Sequence, residues 1–87
     1  MVNGNLSQIF YGEGPAYNVF HGSSLVESEN LAKDWVDNWR KKYFRIPREK
    51  AVLTIETFDL ANLELLKVSL CKNLQQLDSP LEWQEDL

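Results

Sequence analysis

Only one cysteine, Cys71, and one histidine, His21, occur in the 87 residues. A single cysteine allows no disulfide within the chain, and secreted domains this small usually depend on several. Zinc takes three or four Cys, His or carboxylate ligands, so the set is short and no metal is expected. A carboxylate-only Mg2+ site would need a cluster of acids, and the sequence has none. Long apolar runs are missing too, since no stretch approaches the roughly 20 residues that cross a bilayer. The N-terminus has no basic region followed by an apolar run, so no signal peptide is expected. The expected location is the cytoplasm.

No internal repeat, low-complexity tract or linker interrupts the chain. Its composition is 44% hydrophobic and 11% aromatic, unlike the aromatic-poor, highly charged composition of disordered chains. Residues 1–87 therefore read as a single domain, with an acidic tail over 78–87. The formal net charge of −4 is unevenly spread. Arg40, Lys41, Lys42, Arg45, Arg48 and Lys50 form one basic stretch, whereas Asp78, Glu82, Glu85 and Asp86 lie in the tail.

Two runs rich in aromatic and β-branched residues, Leu6 to Tyr11 and Ala16 to Phe20, flank Gly12-Glu13-Gly14-Pro15 and predict a β-hairpin. Ser24 and Glu27 fit a capping box, with Ser28 as the alternative cap. The helix then runs over about 28–43, with Leu31, Ala32, Trp35, Val36, Trp39 and Tyr43 on one arc. Glu29 with Lys33 and Asp37 with Lys41 are acid-before-base pairs at i,i+4. Pro47 ends the helix. Ala51 to Phe58 alternates as a strand does, and Asp59 can cap a second helix over about 60–77.

That second helix is expected because Leu63, Leu66, Leu70, Leu74 and Leu77 recur at spacings of three and four. Leu66, Val68 and Leu70 also alternate with Lys67 and Ser69, so 64–70 can instead pair with 51–57 as a strand. The helix is preferred because the run is long and made of good helix formers. Ser79-Pro80-Leu81-Glu82 resembles another helix start and predicts a short C-terminal turn. The expected fold is α+β, in the order β-β-α-β-α, with both helices on one face of a three-stranded sheet.

No catalytic constellation stands out. His21 follows a strand and precedes Ser23 and Ser24, where a general base could sit, but no orienting acid or nucleophile motif accompanies it. Gly12-Glu13-Gly14 leads into Pro15 and a strand rather than a helix N-terminus, so it reads as a turn and not as a phosphate cradle. Cys71 falls on the edge of the leucine face as a small buried hydrophobe. Neither an enzyme nor a cofactor is expected.

Two surfaces remain. On the expected second helix Leu65 and Val68 point away from the core, as if to meet a partner or a second copy of the chain. Trp83, in the acidic tail, docks on a partner or closes the domain's own core, or the tail folds over the basic 40–50 stretch and masks it. Basic residues 40–50 alternate with Tyr43 and Phe44, a pattern that can hold a phosphate backbone while rings stack on bases. Against this, cations are ordinary at a helix C-terminus, and the sequence pI is 4.8. The leading expectation is a non-catalytic protein-interaction module, a small regulator or adaptor. A nucleic-acid-binding regulator is the alternative.

Overall fold

The computed structural model describes residues 4–12, 14–42, 52–74, 76 and 78–86. Strand β1, Asn5–Tyr11, turns back into β2, Asn18–Gly22. Helix α1 follows at Leu25–Lys42, and then come β3, Leu53–Asp59, β4, Glu64–Cys71, and β5, Trp83–Glu85. The five strands form one antiparallel sheet in the order β2-β1-β3-β4-β5. The helix crosses one face of it, which makes the domain a two-layer α+β unit.

The hairpin and the first helix match their sequence signals. The Ser24 hydroxyl accepts from the Glu27 backbone N–H at 3.2 Å, so Ser24 is the cap and the helix starts one turn before position 28. Gly22 is required where β2 meets the helix. A Cβ there would lie 2.5 Å from the Ser28 backbone nitrogen, closer than any side chain can come. The i,i+4 pairs form as the spacing predicts, at 2.9 Å for Glu29–Lys33 and 3.1 Å for Asp37–Lys41.

The second helix over 60–77 does not form. The rival pattern wins, and β4 pairs with β3 from Leu53↔Cys71 to Asp59↔Glu64, with a register shift between Thr57 and Phe58. Asp59 does accept a backbone N–H as a cap would, that of Ala61 at 3.0 Å. The same chemistry here closes a hairpin, and Leu63 takes the left-handed conformation at φ 55°. Leucine spacing of three and four fits a helix by itself, but burial on a sheet edge supplies the ladder hydrogen bonds that decide the outcome. Ser79 to Glu82 forms no helix either, and the chain continues into β5.

The core lies between helix and sheet. Ile9, Ala32, Val36, Leu53, Ile55, Cys71 and Leu74 are buried there. Of the expected arc, Ala32 and Val36 are buried, Trp35 and Trp39 are half-buried and Leu31 is 42% exposed. Tyr43 lies outside the described residues. Three polar residues, Ser28, Glu29 and Arg40, complete the buried side of α1.

Candidate functional site

Successive side chains on a strand point to opposite faces, so register fixes which residues share a face. On the helix side Ser7 pairs with Thr57, Ile9 with Ile55, and Cys71 with Leu53. The opposite face therefore carries Leu6, Phe58 and Leu65 in one row across three strands. The next row is Val19, Gln8, Glu56 and Val68, continued by Asp86, whose backbone N–H donates to the Val68 carbonyl at 2.8 Å, and the third holds Phe10, Thr54, Leu70 and Gln84. None of the apolar members of these rows packs against the core cluster. Among the described residues, no element covers this face.

Strand β4 is inverted relative to the usual amphipathic strand. Its polar members, Lys67 and Ser69, point at the helix, where both reach the Glu29 carboxylate. Its apolar members, Val68 and Leu70, point the other way. A shift of one residue would exchange the two sets. The Glu29 cluster opposes such a shift, since it places Lys67 2.9 Å from a carboxylate that is only 8% exposed. Burial tends to raise the Glu29 pKa, but hydrogen bonds and charge from Lys67 and Lys33 outweigh it and hold the carboxyl below its ordinary range.

Leu65 and Val68, read from sequence as the outward side of a helix, thus lie on the uncovered face of a strand. Both are half-buried by their neighbours in the sheet. Trp83 is elsewhere. It packs on the core from the helix side, with Lys33 Nζ 5.5 Å from its ring centroid.

The basic stretch divides. Arg40 is only 4% exposed, and its Nη1 donates to the Ser79 carbonyl at 2.8 Å and the Gln76 carbonyl at 3.2 Å. It ties the helix to the segment before β5. Lys41 pairs with Asp37, and Lys42 is exposed. Arg45, Arg48 and Lys50 lie outside the described residues. Beside Lys42, Trp35, Asn38 and Trp39 wall a shallow groove of about 280 Å3, although the two indoles already stack on each other at 5.9 Å.

His21 sits on edge strand β2 and is exposed. Its serine neighbours serve the helix start, Ser24 as the cap and Ser23 as donor to the Glu27 carboxylate. Cys71 is fully buried, and burial raises its thiol pKa. No group of three or more His, Cys, Asp and Glu side chains among the described residues could hold a metal ion. No helix among them is long and apolar enough to cross a membrane.

No family model, curated protein or solved structure matches this chain. The geometry alone therefore has to carry the functional reading. Sequence reasoning missed the uncovered face because it assigned the leucines to a helical stripe. The signal was present in Leu66, Val68 and Leu70 alternating with Lys67 and Ser69.

Proposed function

We propose that this chain is a non-catalytic protein-interaction module, a small cytoplasmic regulator or adaptor, which docks through the uncovered face of its sheet. One observation carries the reading. The face opposite the helix is built mostly of apolar side chains, whereas an antiparallel sheet with one solvated face normally turns polar residues to water. Leu65 and Val68 lie on it in β4. Contiguous apolar surface of this kind marks interaction sites. The burial of Arg40 weighs against the nucleic-acid reading, because one of its six cations is already committed to backbone carbonyls.

A photo-crosslinking side chain placed at Leu65 tests the proposal in cells that express the protein. The expected result is one discrete protein adduct, with none when the same group replaces Asp34 on the exposed side of α1. Equal or absent adducts at the two positions would overturn it.

A further inference from the structure

Parity along β1 fixes which backbone groups at the sheet's first edge point outward. The Gly12 N–H donates to the Val52 carbonyl at 3.0 Å, and the Leu60 N–H to the Gly4 carbonyl at 3.1 Å. Even-numbered residues of β1 therefore bond toward β3, and odd-numbered ones toward β2. There Asn5, Ser7 and Ile9 pair with Gly22, Phe20 and Asn18. Val19, between the last two, turns its N–H and carbonyl away from β1. Asn18 Oδ1 accepts that N–H at 2.8 Å, a side-chain carbonyl standing where the carbonyl of a further strand would.

Among the described residues β2 is an edge strand, and nothing in it blunts the edge. Its sequence, Asn-Val-Phe-His-Gly, holds no proline, lysine, arginine or carboxylate, the residues with which natural edges are guarded. The opposite edge, β5, is three residues long and carries Glu85. Beside the β2 edge the helix offers a matching flank. Leu31, Trp35 and Lys42 recur at spacings of four and seven, on one stripe of α1. Trp35 marks the stripe as the β2 side, with its ring centroid 6.4 Å from that of Phe20. Leu31, Tyr17 and Val19 are all exposed there, and the groove walled by Trp35, Asn38, Trp39 and Lys42 runs along the same flank. Gly22 abuts Ser28, and Tyr17 lies 6.0 Å from Trp39. Strand and helix thus run in opposite directions, and the Asn18 end of the edge lies toward Lys42.

We infer that this edge takes an extended, carboxylate-bearing segment of another protein as a further strand, antiparallel to β2. The inference goes beyond the docking face, because it uses main-chain groups in the plane of the sheet. Such groups are matched by another extended backbone, and flanking pockets for alternate side chains supply the specificity. The incoming residue opposite Val19 exchanges both hydrogen bonds with it and displaces Asn18 Oδ1. Those opposite Asn18 and Phe20 turn to the helix side, where the indoles and Leu31 suit apolar side chains. The lengths agree, since five strand residues span about 16 Å and so does the stripe from Leu31 to Lys42. Antiparallel addition brings the C-terminal end of the segment toward Lys42, the one charged wall of the groove. That exposed ammonium favours a carboxylate at this end. A second copy matches less well, because its own β2 carries no carboxylate to meet Lys42.

Selection from a phage-displayed library of random ten-residue peptides against the full chain tests the inference. The enriched peptides should alternate apolar residues and carry an acid at the C-terminal end. Val19→Pro should weaken their binding at least about tenfold. Proline there removes a donor that β1 does not use, so the strand's own ladder is kept, and circular dichroism shows that the variant is folded. Lys42→Glu changes an exposed position and leaves the edge intact, and it should exchange the acid preference for a basic one. No enriched peptide, or peptides indifferent to either substitution, overturns the inference. So does self-association in sedimentation velocity that Val19→Pro abolishes, which would give the edge to a second copy.

Discussion

Lys67 Nζ lies 2.9 Å from Glu29 Oε2, so a strand cation is turned inward onto a helix carboxylate. Lys33 approaches the other oxygen of the same group at 2.9 Å, and the Ser69 hydroxyl donates to it as well. This cluster fixes the register of β4, and through it the identity of the uncovered face.

Glu29→Gln should destabilise the domain by about 2 kcal/mol. Losing one partner of a buried pair can cost more, but Lys33 and Lys67 are 25% and 23% exposed and can reach water. The pH dependence follows from the lowered carboxyl. Its contribution is fully present above the unfolded value of about 4.3 and is lost as pH falls through the lower folded value. Urea unfolding of both proteins from neutral to acidic pH checks this, with the difference between them shrinking in acid.

A chain of buried hydroxyls joins the sheet to the helix. Thr57 and Ser7 lie 2.8 Å apart, the Ser7 hydroxyl donates to that of Ser28 at 3.1 Å, and Ser28 donates to the Leu25 carbonyl at 3.2 Å. All three residues are at most 1% exposed. Ser7→Ala should cost about 1–3 kcal/mol, because it strands two partners away from water. Adding Ser28→Ala and Thr57→Val should cost less than the sum of the single changes, since no unpaired group is then left. Denaturant midpoints across the full set of variants measure the non-additivity.

Arg40 predicts a contrast within the basic stretch. Arg40→Met should cost about 2–4 kcal/mol, as the Gln76 and Ser79 carbonyls lose their shared donor. Arg40→Lys should restore it only in part, because the guanidinium holds the two carbonyls through Nη1 and Asp37 through Nη2, a spread that a single nitrogen does not span. Lys42→Ala should stay within about 0.5 kcal/mol. Thermal unfolding distinguishes the three variants, and amide exchange should quicken at Gln76 and Ser79 in Arg40→Met alone.

The first half of the fold was legible because its signals are local. Ser24 and Glu27 lie within one turn, and the Gly-Pro loop sits between two aromatic runs. The second half failed where two periods overlap. Leu63, Leu66, Leu70 and Leu74 satisfy a helix, and Leu66, Val68 and Leu70 satisfy a strand. What separates them is whether β3 offers a ladder to pair with, which is a long-range fact. Leu63 shows the cost of the wrong choice: expected in a core stripe, it is 76% exposed at a hairpin turn. Arg40 was misread for the same reason, since its acceptors lie 36 and 39 positions away. Leu65 and Val68 were singled out as outward-facing from a helical wheel, yet they share the uncovered face because of the pairing Phe58↔Leu65 and Glu56↔Val68.

The place of β1 in the sheet has a consequence for how the chain is made. Its outer neighbour β2 is close behind it, but its inner neighbour β3 pairs Ile9 with Ile55 and Leu6 with Phe58. Closing so long a loop must precede the contacts that reward it, and such pairings form slowly. A nascent chain that has emerged only as far as Lys42 holds a hairpin and a helix whose shared floor, Leu53 and Ile55, does not yet exist. Until β3 clears the ribosome, Ile9 and Val36 lack the partners that bury them in the finished core.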